Sequence, residues 1–264
     1  MTKNELTMVL CAYKESPYLE DAAKSLAQQT EKIQMILATS TPSDYLKQIA
    51  EKYNMEYCVN PVSGGGIAAD WEFAVSCAKT EWVTIAHQDD IYFPDYAASV
   101  MERLRKQPEA LIVFTDYCDL SNGEYLWGRG YLLVKRLLLW AYYLRSSWGN
   151  KFFKRLPLCL GNAISCPSVT YNVKKIGTLQ FERSFSVNLD WAMWLSLVEK
   201  PGKFSFIPKC LMAHRIHEGA ETCVAVLDQR RYNEDLRIFS RLWGDSVGKL
   251  LLKFYSKGYL TEEK

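Results

Sequence analysis

The feature that most constrains the fold is an alternation of short apolar runs with helix-like segments, kept up through residue 115. Segments 6–13, 33–39, 55–59, 81–86 and 111–115 read as strands. Helical signals lie between them, over about 17–28, 43–53, 67–79 and 94–107. Pro17 stands in the first of these helices where its missing N–H costs nothing, and Ser43-Asp44 offers a cap to the second. Strands separated by helices of this length imply βαβ units, hence an α/β fold around a mainly parallel sheet flanked by helices. In such sheets ligands bind beyond the carboxyl ends of the strands, which directs attention to the residues following each apolar run.

After about residue 120 the pattern changes. Segment 125–160 carries Arg129, Lys135, Arg136, Arg145, Lys151, Lys154 and Arg155 among many aromatics, with no acid. Regular structure resumes near 163–170. A helix over 189–199 places Trp191, Trp194, Leu195 and Val198 on one face, short strands follow at 203–207 and 209–214, and 224–243 and 247–255 read as terminal helices.

Hydrophobic residues at 48% and charged residues at 23% exclude a disordered or fibrous chain. The net charge of +2 is too small for a protein that coats nucleic acid by bulk charge. The eight cysteines contain no C-x-x-C pair and several lie in apolar runs, which predicts small buried thiols in a reducing compartment. The first residues are polar, and no apolar stretch approaches the roughly 20 residues a spanning helix requires. A cytoplasmic protein, at most at the inner face of a membrane, is the expectation.

Asp89 and Asp90 follow the fourth strand. Adjacent carboxylates repel unless water screens them or a hard cation such as Mg2+ or Mn2+ lies between them, so the pair is either a solvated acidic turn or a metal site. His214-Arg215-Ile216-His217 closes a late strand and could complete such a site, or form an exposed polar loop. Asp190 opens the tryptophan-bearing helix, with Asn188 as a candidate cap. It either complements the helix dipole or acts as a general base beside a cleft walled by Trp191 and Trp194, though their spacing alone favours core positions. The Gly64-Gly65-Gly66 turn before a helix offers N–H groups to an anion, without the pattern of a P-loop.

Together these elements, from about residue 6 to 222, resemble the family 2 glycosyltransferases, inverting nucleotide-sugar enzymes of the GT-A fold. Val9-Leu10-Cys11-Ala12-Tyr13-Lys14-Glu15 is similar to the family's first strand, Gly64-Gly65-Gly66-Ile67-Ala68-Ala69-Asp70-Trp71 to its glycine turn and following helix, and Ile85-Ala86-His87-Gln88-Asp89-Asp90 to its D-x-D-D element. Asn188-Leu189-Asp190-Trp191 resembles the later acidic motif, and Arg215-Ile216-His217 the R-x-H near the diphosphate. The resemblance implies Asp190 as catalytic base. It implies donor contacts from Ala12, Tyr13, Glu15, Ser40, Gly65, Gly66, Asp70, His87, Gln88, Asp89 and Arg215. A Mg2+ or Mn2+ ion would rest on Asp89 and His217, and the acceptor would meet Asp90 and Trp191. The implied donor is a nucleotide sugar, a UDP-sugar by default. The implied acceptor is a glycan, lipid-linked or protein-linked hydroxyl in cell-surface polysaccharide or glycoconjugate assembly.

Two departures stand out: the acid the family carries after its second strand is absent from Ala38-Thr39-Ser40-Thr41-Pro42, and His87 replaces the first Asp of D-x-D-D. A sugar nucleotidyltransferase is a second reading, although residues 6–17 contain no glycine to form its loop. A non-catalytic scaffold derived from the family is a third. The expected organisation is a GT-A domain over 1–222 with a variable insertion at about 121–160, then a C-terminal helical extension over 223–264. The insertion suits a membrane interface, a helical lid or a homodimer surface.

Overall fold

A computed structural model describes residues 5–62, 64–128 and 130–259. Arg129, one of the seven bases of the insertion, lies outside the described residues, as do the chain's first four and last five residues. The N-terminal elements are β1 (Leu6–Ala12), α1 (Leu19–Ala27), β2 (Gln34–Thr39), α2 (Asp44–Lys52), β3 (Glu56–Val59), α3 (Gly66–Cys77) and β4 (Trp82–His87). They are followed by β5 (Ile91–Tyr92), α4 (Tyr96–Lys106), β6 (Ala110–Ser121), β7 (Glu124–Leu126), α5 (Gly130–Leu138), α6 (Trp140–Leu144), β8 (Ser147–Trp148) and α7 (Lys151–Arg155). The last part comprises β9 (Val169–Asn172), α8 (Val173–Ile176), α9 (Leu189–Glu199), β10 (Lys203–Arg215), α10 (Glu221–Leu227), α11 (Arg230–Trp243) and α12 (Asp245–Tyr255).

The strands form one sheet in the order β3-β2-β1-β4-β9-β6-β10-β5, with β7 on β6 and β8 on β10. The long ladders, β3-β2-β1-β4 and β6-β10, are parallel. Between these blocks β9 runs antiparallel to both β4 and β6, so the sheet is mixed at its centre. The continuous apolar character of β1 follows from burial on both faces. Leu6, Met8 and Leu10 pack into the layer of α1, α2 and α4, while Val9 points to the opposite layer with Ala74 of α3. A larger cluster joins Ile112, Phe114 and Tyr171 of the sheet to Trp191 and Trp194 of α9 and Phe239 of α11.

Three differences from the expectations have local causes. The two late strands are one, β10, whose register against β6 shifts between Ile207 and Cys210, where Pro208 has no N–H to give the ladder. The helix expected over 224–243 breaks at Gln229, which takes φ +62°, while Asp228 accepts the Arg230 N–H at 3.0 Å and restarts the chain as α11. The boundary expected at 222/223 therefore falls inside α10. Helix α9 is buried almost all round rather than on one stripe, because it lies between the sheet and α11.

The insertion consumes much of its own charge. Arg136 binds Asp116 at 2.9 Å, Lys135 donates to the Tyr117 hydroxyl at 2.8 Å, and the buried Lys154 donates to the Lys200 carbonyl at 2.7 Å. Lys151 pairs with Glu199 at the surface. Trp148 and Phe153 stack on one another at 3.9 Å and Leu139 is buried, so these three do not form an outward apolar edge. Among the described residues no helix is long and apolar enough to cross a membrane.

Candidate active site

One cavity of about 900 Å³ opens at the carboxyl ends of β1, β2 and β4, within the size range of small-molecule sites. Ala12, Tyr13, Ser40, Gly65, Gly66, Asp70, His87, Gln88, Asp89, Asp190, Arg215 and His217 all line it. The two carboxylates expected to carry the chemistry, Asp89 and Asp190, thus share a single chamber although 101 positions separate them.

The floor is set by strand ends. The Gln88 side chain clamps β4 to β1: its Oε1 accepts the Tyr13 N–H at 3.0 Å and its Nε2 donates to the Tyr13 carbonyl at 3.3 Å. Asp70, on α3, accepts from Ser40 Oγ at 3.0 Å and from Asn60 Nδ2 at 3.3 Å. A carboxylate therefore stands at the end of β2 after all, delivered by a helix instead of by the strand. The glycine turn reaches α3 through Gly64 and Gly66, at φ +78° and +73°, a region side chains disfavour.

The acidic pair and the late motif form one constellation. His217 Nε2 lies 3.0 Å from Asp89 Oδ2. The Arg215 Nε donates to the Asp89 carbonyl at 2.8 Å, its backbone N–H to Asp90 Oδ1 at 2.9 Å, and its guanidinium covers the Tyr18 ring at 4.5 Å. Burial raises the Asp89 carboxyl, but the hydrogen bond from His217 and the neighbouring histidines outweigh it and hold the group below its usual range. His87 stacks on Trp71 at 5.3 Å, and burial lowers its pKa to about 4, leaving a neutral imidazole. Ligand atoms of His87, Asp89 and Asp90 lie within 4.8 Å of one another, and His87 Nε2 and Asp90 Oδ2 are buried without hydrogen-bond partners among the described residues. Carboxylate oxygens, a neutral imidazole and orphaned buried atoms are a donor set that fits Mg2+ or Mn2+.

Asp190 enters from the first turn of α9. Its Oδ1 accepts the Trp191 N–H at 2.6 Å and its Oδ2 accepts from Asn162 Nδ2 at 3.0 Å. Burial pushes the carboxyl up to about 6, against the pull of those two donors and of Lys135 and Arg231. A carboxylate poised near 6 is suited to take a proton at neutral pH.

Three expected site residues do not reach the chamber. Trp191 is fully buried, its indole N–H donating to the Leu158 carbonyl at 3.0 Å, so it offers no stacking face to an acceptor. Asp90 is fully buried and does not line the chamber: its Oδ1 takes the Arg215 N–H and its Oδ2 lies 3.7 Å from His87 in the acidic cluster, so it is not open to an acceptor. Glu15 is exposed and outside the lining. Conversely, Asn162, Lys135, Tyr131 and Arg231 line the cavity and carried no motif. Asn162, adjoining Gly161 just after the insertion, had only its amide type to mark it.

The chain matches the model of glycosyl transferase family 2 over residues 7–172 and belongs to that family. It is a glycosyltransferase with a GT-A-type mixed α/β fold, and the nucleotidyltransferase reading falls away. An uncharacterized glycosyltransferase of Rickettsia typhi is 22% identical over 256 residues, covering 93% of this chain and 72% of that protein. Among solved structures, S. aureus TarS, residues 1–349 of that protein, is similar at a TM-score of 0.64 with 13% identity, covering 97% of this chain and 72% of the other. The same part of TarS is known in complex with UDP and with UDP-GlcNAc. The mannosyltransferase PcManGT of Pyrobaculum calidifontis, in complex with GDP-Man and Mn2+, gives a TM-score of 0.63 at 13% identity, covering 99% of this chain and 74% of the other.

Proposed function

We propose that the enzyme transfers a sugar from a nucleotide-sugar donor to an acceptor hydroxyl with inversion at the anomeric carbon. The observation that carries this reading is the shared chamber of Asp89 and Asp190. The acceptor oxygen forms its bond to the anomeric carbon as the bond from that carbon to the diphosphate oxygen breaks, the electron pair leaving with the diphosphate. Asp190 takes the hydroxyl proton, assistance that typically contributes about 10²–10⁴-fold. Asn162 and the Trp191 N–H hold its carboxylate in place.

Ala12, Tyr13, Ser40 and Asp70 form the nucleoside end. Gly65 and Gly66, with the first turn of α3, face the phosphates. His87 and Gln88 border the ribose and diphosphate. Asp89 and His217 would hold a Mg2+ or Mn2+ ion, with His87 and Asp90 adjoining, and that ion would supply charge neutralisation for the diphosphate. Arg215 adds a fixed cation beside it. Asp70 takes the place of the family's missing strand acid, and a UDP-sugar is the default donor, with GDP-sugars next. The acceptor is a glycan, lipid-linked or protein-linked hydroxyl, consistent with cell-surface polysaccharide or glycoconjugate assembly. The catalytic unit is the sheet with its flanking helices, and α10–α12 pack back on it as a helical extension that begins at Glu221, inside which α11 supports the approach to Asp190.

Donor turnover measured across UDP- and GDP-sugars, with Mg2+ or Mn2+ and with chelator, tests the reading. Metal-dependent release of nucleoside diphosphate by the wild type, lost in Asp190→Asn with donor affinity retained, is expected. Wild-type turnover in Asp190→Asn removes Asp190 from the mechanism.

A further inference from the structure

Helix α5, which lines the cavity, and helix α12, which packs behind its wall, carry rows of exposed apolar side chains on their outward faces. On α5, Tyr131 and Lys135 line the chamber. The opposite side of the same helix carries Leu133, Val134 and Leu137, and the apolar row continues through Trp140 and Leu144 of α6 at intervals of three and four residues. All five are exposed, Leu137 by 68% and Leu144 by 77%. The second helix, α12, reaches the chamber wall through Tyr255, whose hydroxyl accepts the Asn162 N–H at 3.4 Å. Its outward side carries Val247, Leu250 and Phe254, all exposed, beside Lys249 and Lys253, with Lys257 in the turn just beyond the helix over the Phe254 ring. None of these three lysines has an ion-pair partner among the described residues. In the chain that follows α6, exposed Phe152 and Leu160 accompany Arg145 and Arg155, which also lack an acidic partner among the described residues.

We propose that this surface docks the enzyme on an anionic lipid bilayer. Aliphatic and aromatic side chains interleaved with unpaired cations match the interface of acyl chains and anionic headgroups. A second copy of this chain fits less well: a two-fold contact through α12 would bring the same three lysines together. Nucleic acid would use the cations but leave the leucines in water. The surface itself carries the inference, and binding is read without donor or turnover, so its failure leaves the transferase reading untouched.

The test is sedimentation of the full chain with phosphatidylcholine vesicles and with vesicles that also contain phosphatidylglycerol. Binding to the anionic vesicles alone, released by salt, is expected. Each lysine contributes roughly fivefold near such a surface, so Lys249→Gln/Lys253→Gln/Lys257→Gln loses about a hundredfold in affinity. Leu137→Ser/Leu144→Ser also weakens binding, and both variants keep wild-type donor turnover in solution. Absence of sedimentation at low salt overturns the proposal. So does equal binding of wild type and the lysine variant, competition by duplex DNA that the leucine variant leaves unchanged, or a dimer in analytical ultracentrifugation that the leucine variant dissolves.

Discussion

The Glu234 carboxylate, on α11, accepts the backbone N–H of Asn188 at 2.9 Å, two residues before Asp190. The same side chain also takes the N–H groups of Ser186 and Val187, at 2.7 and 2.9 Å. One buried acid thereby collects four donors of the loop that delivers Asp190, the Ser186 hydroxyl at 2.8 Å included, and Asn188 is tied to Asp235 of the same helix at 2.6 Å. Removing it by Glu234→Ala leaves those donors unmet in a site of low exposure, at about 2–4 kcal/mol of stability. The expected signature is a lower kcat with donor KM little changed, read together with denaturant unfolding. A variant of normal stability and normal kcat would show that the loop keeps its shape without this anchor.

The proposed role of Asp190 as base requires its ionised form. Because burial pushes its carboxyl up to about 6, kcat/KM should climb as pH rises through that value and level off above it, falling about tenfold per pH unit on the acid side. Asn162 donates to the charged form and so lowers the value; Asn162→Leu should move the acid limb to higher pH. A pH–rate profile of both proteins decides this, and an unmoved limb would assign it to another group.

Asp89→Asn keeps the shape of the His217 contact and removes charge from the candidate metal site. Turnover should drop by about 10²–10³-fold, with a higher metal concentration needed for half-activation. Metal titration of steady-state rates measures both. An unchanged metal requirement would move the ion away from Asp89.

Asp70 holds Ser40 and Asn60 where β2 and β3 end, the proposed nucleoside end of the cavity. Asp70→Asn should weaken nucleotide binding by about 1–3 kcal/mol, the usual effect of losing a charged hydrogen-bond acceptor. Calorimetric titration with UDP and GDP would show which base the carboxylate favours. Equal affinities in wild type and variant for both nucleotides would remove it from recognition.

Trp191 packs edge-on to Phe239 at 5.3 Å with no exposed surface. Trp191→Ala should cost about 3–5 kcal/mol through the cavity it leaves. Trp191→Phe should retain acceptor KM. A selective rise in acceptor KM for the phenylalanine variant would restore the stacking role that burial denies it.

Much of the site was legible because each motif adjoins a strong local signal. Asp89 ends β4, Asp190 opens α9, and the glycine turn precedes α3, so apolar periodicity placed them to within a residue or two. The wall residues without such signals were not legible. Asn162 and Glu234 act on Asp190 from 28 and 44 positions away, and nothing in their neighbours' sequence marks those contacts. Nor could periodicity separate a tryptophan that walls a cleft from one sealed beneath α11.

From its residues alone, this chain determined the order of strands and helices and which loops would cluster at the sheet's edge, because hydrophobic spacing and backbone preferences act over a few neighbours. Tertiary packing decided which side chains face the chamber. It placed β9 antiparallel at the sheet's centre, kept Asp90 and Trp191 out of the chamber's lining, and brought a carboxylate to the end of β2 from α3. Those outcomes depend on how distant surfaces fit when they exclude water, a property of the assembled layers and not of any single segment.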